Sequence, residues 1–179
     1  WLRPARGSDF ADYKEEMKSH YEIWWVFGWP YETSAAMAHI VFAGLFDRYP
    51  NLKIITHHMG GMVPNFEGRV GTGWDQLGTR TSEEDYGALL KQLKKRPIEY
   101  FRMFYADTAL FGARAATQCG LSFFGVERTL FATDMPFDPE NGSMFIRSTI
   151  DVLDSLDLSR EERHAIYEGN ARRLLRLDG

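Results

Sequence analysis

The chain has 179 residues, of which 44% are hydrophobic and 15% aromatic, enough to bury the core of one globular domain. A net charge of −4 with a pI near 5.7, carried by interleaved acids and bases without a basic stripe, argues against nucleic acid as a partner. One cysteine, Cys119, excludes an intramolecular disulfide and a cysteine-built zinc cage, and the sequence carries no bilayer-length apolar run or signal peptide, so a cytoplasmic location without a membrane partner is expected.

Residues 1–30 are aromatic-rich and irregular, with a helix expected at 12–18. The opening Trp1-Leu2-Arg3-Pro4 suggests a piece of a longer protein. Apolar positions Ala36, Ile40, Val41 and Leu45 recur at helical spacing and predict a helix over 32–46. A strand at 52–56 runs into His57-His58-Met59-Gly60-Gly61, followed by a helix over 63–77. Residues 81–84 (TSEE) are rich in capping and acidic side chains and should open a helix over 85–95, whose end, 91–96 (KQLKKR), reads as a solvated face. The segment 102–106 alternates as a strand and ends at Asp107. A helix over 111–119 then leads to a third strand at 129–132, with Asp134 at its exit. Helices at 144–156, 159–167 (opened by a Ser-Arg-Glu-Glu cap) and 170–175 close the chain. The order α-β-αα-β-α-β-ααα implies an α/β fold with parallel crossovers, and three strands make about three-eighths of a closed barrel.

Chemistry concentrates at the strand exits, where α/β proteins place their sites. Adjacent residues on an extended backbone point to opposite faces, so at most one of His57 and His58 is expected to face a site. Gly60-Gly61 would let the backbone approach a ligand closely. Asp134 and Asp107 each have a local alternative as loop-capping carboxylates. The segment 68–73 (GRVGTG) lacks phosphate-loop context, and no Gly-x-Ser-x-Gly elbow marks a serine triad. Trp24, Trp25, Phe27 and Trp29 read as core or subunit contact, with an aromatic pocket wall, to which Trp25 would belong, as the second reading. Cys119 reads as a buried small apolar residue.

Residues 50–64 (PNLKIITHHMGGMVP) resemble a segment of the amidohydrolase-2 family, the metal-dependent (β/α)8 barrels that include aminocarboxymuconate-semialdehyde and resorcylate decarboxylases. Residues 28–33 (GWPYET), 131–137 (FATDMPF) and 168–171 (EGNA) resemble further family segments in the right order. The resemblance implies an incomplete TIM barrel, residues 1–179 forming the carboxyl-terminal portion with strands six to eight. It makes His58 the strand-six catalytic histidine and Asp134 the strand-eight catalytic carboxylate and metal ligand. Arg69 becomes a ligand for a substrate carboxylate, in its own subunit or across a subunit boundary, while His57 falls at a non-ligand position and Asn170 looks structural.

The same resemblance implies a divalent metal, Zn or Mn, a small carboxylic acid substrate and a homo-oligomer. Non-oxidative decarboxylation of an aromatic or unsaturated acid is the first expectation. Hydrolysis of an amide, ester or lactone, or a non-catalytic truncated relative, are the alternatives. Family members add ligands from strands one and five. Strand one has no counterpart here, and Arg3-Pro4 stands where a strand-five His-Pro is expected unless that dipeptide lies upstream. Counting Asp134 as the only donor, the chain alone is expected to retain no metal and turn over nothing.

Overall fold

The computed structural model describes residues 1–81 and 83–177. Three short parallel strands, β1 (Ile55–Thr56), β2 (Tyr105–Asp107) and β3 (Thr129–Leu130), form a sheet in the order β1-β2-β3. Thr56 pairs with Ala106, and Asp107 with Leu130, so all three strands end at one edge. The amino-terminal segment lies on the outer side of β1 through a parallel bridge between Leu2 and Thr56. Leu2 N–H donates to Ile55 O (2.7 Å), and His57 N–H donates to Leu2 O (3.1 Å). That placement carries Arg3 to the edge where the strands end, within reach of Asp134.

Helices α1 (Ile23–Val26), α2 (Gly28–Phe42) and α3 (Leu45–Arg48) precede β1, and α4 (Tyr86–Gln92) and α5 (Pro97–Phe101) separate β1 from β2. Helix α6 (Arg114–Phe124) connects β2 to β3, and α7 (Ser143–Ser155), α8 (Arg160–His164) and α9 (Asn170–Leu175) follow. The main core packs Met37 and Val41 of α2 and Phe101 of α5 against Phe104, Ala106 and Phe124. A smaller cluster joins Leu153, Leu156 and Ile166 beyond β3. Asn170 is buried, and its amide donates to Val126 O and Thr129 O (both 2.7 Å), which ties α9 to β3 and gives it the structural role expected of it. Among the described residues, no helix is long and apolar enough to cross a membrane.

Several boundaries differ from expectation for local reasons. Residues 12–18 form turns, because the Glu16 carboxylate accepts from the amides of Asp12 and Tyr13, and Asp12 accepts from Ser19 and His20. Such local bonds compete with helix formation. Residues 63–77 yield turns, a wide π-turn at Arg69–Gly73 and a 3-10 turn at Trp74–Gln76, in keeping with glycines at 68, 71 and 73. Helix α4 is capped by Asp85, which accepts from Ala88 N (2.9 Å); Ser82 of the expected cap lies outside the described residues.

That helix stops early because Lys94 N donates to Asp47 and Lys95 N to Tyr100 Oη. The unforeseen α5 starts at Pro97 with a Glu99 capping box and takes residues 102–104 into its closing turn, which shortens the expected strand. Helix α6 runs five residues past its expected end, and Cys119 on it is half-buried rather than fully buried. Ser159 and Glu162 make the expected capping box, but α8 ends at His164 and passes into a π-turn at Ala165–Gly169.

Candidate functional site

His57, His58 and Asp134 meet at the carboxyl-terminal edge of the sheet. His57 continues β1 in extended conformation (φ −77°, ψ 159°), whereas His58 (φ 50°) and Met59 (φ 51°) turn left-handed. The turn breaks the two-residue alternation, and the imidazole centroids lie 4.0 Å apart. Both rings therefore face the site, correcting the expectation of at most one, which assumed extended backbone through the pair. Asp134 is also left-handed (φ 60°). A left-handed residue with a Cβ costs about 1–2 kcal/mol, and such strain concentrates where a site over-determines the backbone. Gly61 serves packing rather than a ligand: a Cβ there would collide with the Pro30 carbonyl, and Met62 N donates to Ser34 Oγ (2.8 Å) on α2.

Asp107, at the end of β2, is fully buried and holds this turn in place. One oxygen accepts from His58 N (2.9 Å) and Ala109 N (3.2 Å). The other lies 2.5 Å from His57 Nδ1 and accepts from Trp1 Nε1 (3.2 Å). A carboxylate only accepts, so Nδ1 carries the proton of that bond and His57 Nε2 points at Asp134.

His57 Nε2 is 3.1 Å from Asp134 Oδ1, and His58 Nε2 is 3.3 Å from Oδ2. Burial alone would push His57 down, but its bonds to Asp107 and Asp134 outweigh burial and raise it to about 9. Burial likewise opposes ionisation of Asp134, yet its bonds with His57 and His58 hold it well below the usual carboxylate range. The Arg3 guanidinium, 59% exposed, lies 3.8 Å from Asp134 Oδ1.

An open cleft of about 500 Å³ leads to this cluster, lined by Trp1, Arg3, His57, Thr133, Asp134 and Phe137. His58 stacks on Trp29 (6.4 Å, 14°) and meets the Phe111 ring edge-on (6.1 Å). Trp25 lies one ring further out, tilted on Trp29 at 6.4 Å with its indole donating to Glu22. Arg69 is exposed on the wall of a separate cavity of about 780 Å³, shared with Met62, Trp74 and Tyr86. The fold thus unites His58 with Asp134 and leaves Trp25 and Arg69 outside the cluster. Sequence reasoning set His57 at a non-ligand position, passed over Phe111, placed Trp29 only among several aromatics that could wall a pocket, and left Asp107 without a definite role. The position of Asp107, at the exit of the strand between the other two, was the available signal.

The donor set suits a divalent ion. Metal bonds of about 2.1 Å place neighbouring ligand atoms about 3.0–3.4 Å apart, which matches the separations of both imidazole nitrogens from Asp134. One ligand atom from each of the three residues lies within 4.8 Å of the others. Three metal-capable side chains converge where the sequence count gave one donor.

A family model described as amidohydrolase matches residues 1–177. The gamma-resorcylate decarboxylase of Rhizobium radiobacter is 32% identical over 162 residues, covering 87% of this chain and 45% of that protein. The 2,6-dihydroxybenzoate decarboxylase from Rhizobium superposes with a TM-score of 0.74 at 24% identity, over 99% of this chain and 51% of that one, which establishes a shared fold. A dihydroxybenzoic acid decarboxylase from Polaromonas sp. JS666, solved with bound manganese and 2-nitroresorcinol, superposes with a TM-score of 0.69 at 27% identity, over 88% and 45% of the two chains. The chain spans about half the length of the curated relatives it matches.

Proposed function

Because the chain belongs to the amidohydrolase-2 family, we propose that it forms the carboxyl-terminal part of a (β/α)8 barrel and supplies strands six to eight to a metal-dependent decarboxylase. The substrate class is an aromatic or unsaturated carboxylic acid, by likeness to relatives named for resorcylate and dihydroxybenzoic acid. The observation that carries this reading is the approach of His58 Nε2 to Asp134 Oδ2, 3.3 Å apart at the exits of β1 and β3.

Asp134, kept anionic by its two imidazoles, is the group that would hold Zn or Mn. When bound, that ion supplies positive charge that orients the substrate and offsets charge developing as CO₂ departs. His58 presents Nε2 to the reacting carbon and delivers the proton that replaces the carboxyl group. The electron pair of the broken carbon–carbon bond takes that proton, so no redox partner is needed. Asp134 Oδ2, within hydrogen-bond reach of His58 Nε2, orients the ring, and a solvent water restores the proton that the ring has given up. Trp29 and Phe111 pack on the His58 imidazole from two sides and fix its orientation. Arg69 serves as a substrate carboxylate ligand only if a second copy brings it to the cleft. A non-catalytic relative is the second reading, favoured by the Arg3 cation beside Asp134.

The test uses the longest natural gene product that contains this chain, loaded with Mn²⁺ and offered ortho-hydroxylated benzoates such as 2,6-dihydroxybenzoate. CO₂ release is expected. His58→Ala should lower turnover by about 10²-fold with metal content unchanged, and Asp134→Asn should lower both. No CO₂ from any such acid would overturn the decarboxylase reading, and metal loss in His58→Ala would make His58 a ligand.

A further inference from the structure

His57 differs from His58 in how its ring is held. Its Nδ1 is clamped by the fully buried Asp107, which is itself fixed by Trp1 Nε1 and two backbone amides. A carboxylate that accepts from Nδ1–H leaves Nε2 as the outward nitrogen able to ligate, and metal-binding imidazoles are prepared in this way. That nitrogen lies 3.1 Å from Asp134 Oδ1, while His58 addresses the other oxygen, Oδ2. The two carboxylate oxygens therefore serve different partners. The Oδ1 side offers an imidazole and a carboxylate at the spacing of neighbouring metal ligands. The Oδ2 side leaves His58 free for proton transfer.

We infer that His57, positioned by Asp107, is a direct metal ligand, and that with Asp134 it enables this chain to bind a divalent cation by its own residues. This rests on the metal-dependent reading of the site, but it concerns metal affinity and is judged without turnover. It replaces the expectation that the chain retains no metal, which counted Asp134 as the sole donor.

The experiment strips the purified 179-residue chain with a chelator and titrates it with Zn²⁺ against a chromophoric competitor, with Co²⁺ absorption as a second probe of coordination. One ion per chain is expected. His57→Ala should weaken Zn²⁺ binding by about 10²-fold or more, and Asp107→Asn, which keeps the imidazole, by about 10- to 100-fold. His58→Ala should stay within about threefold of wild type. Wild-type affinity in His57→Ala, or no Zn²⁺ binding by the unaltered chain, would overturn the inference, and neither result touches the decarboxylase assay on the longer protein. If either variant misfolds by circular dichroism, ¹⁵N imidazole spectra of the wild type decide the matter. Zn²⁺ should shift His57 Nε2 while Nδ1 stays protonated, and an unmoved His57 Nε2 would refute ligation.

Discussion

Replacing Asp107 with Asn in the metal-free chain tests whether this buried carboxylate organises the site. Asp107 is fully buried and His57 nearly so, with 8% of its side chain exposed, so screening by water is weak. His57 titrates at about 9 in the fold against an ordinary 6.5. At about 1.4 kcal/mol per pH unit, that gap corresponds to roughly 3–4 kcal/mol, shared between Asp107 and Asp134. Because the folded value is raised, the stabilisation is fully present below pH 6.5 and is lost as pH rises through about 9.

Asn keeps one acceptor oxygen for the amides of His58 and Ala109 but sets an NH₂ against the N–H groups of His57 and Trp1. An unmade buried bond of that kind adds about 1–3 kcal/mol. The expected loss is about 3–4 kcal/mol at pH 6. It should shrink to about 1–2 kcal/mol at pH 10, where a neutral His57 can turn an acceptor nitrogen to the amide. Urea unfolding of both proteins at the two pH values measures this difference. A loss under about 1 kcal/mol at pH 6, or one that does not change with pH, would refute the assigned role of the Asp107–His57 bond.

Two further outcomes follow from packing. Gly61→Ala should cost about 2–4 kcal/mol in thermal or denaturant unfolding, from a left-handed φ of 62° and collision with the Pro30 carbonyl. Gly44→Ala, with φ 66° and open space around it, isolates the backbone part and should cost about 1 kcal/mol; equal losses would remove the packing argument. Tyr100→Phe should cost about 1–2 kcal/mol, because the buried hydroxyl donates to Asp47 (2.7 Å) and accepts from Lys95 N (3.0 Å). Burial and the Asp47 bond push that phenol up to about 12 from 10, so its contribution is present below pH 10 and falls as pH rises through 12. Alkaline unfolding curves of Tyr100→Phe should lack this component, and identical curves would contradict the assignment.

Periodicity and turn chemistry located the strand exits in the sequence, because apolar runs that end in His-Met-Gly-Gly or Asp-Met-Pro carry their own boundaries. The parallel sheet, the Ser159–Glu162 cap and the convergence of His58 with Asp134 were legible in that way. Family resemblance added the expected metal and substrate class, which no spacing in this chain specifies. Other features depended on groups far apart in sequence. Helix α4 ends where Asp47 and Tyr100 claim its following amides, and α5 borrows residues that alternate like a strand.

The direction of His57 was decided by the left-handed turn at His58 and by Asp107, fifty positions away, neither of which has a local sequence signature. Arg69 and Trp25 looked as eligible as Trp29 until the packing of α2 against the loop set Trp29 beside His58. The sequence by itself determined which side chains could do chemistry and at which edge of the sheet. Only the tertiary structure decided which of them share a centre, because the range of a hydrogen bond or a metal bond is a few ångströms and chain distance does not limit it.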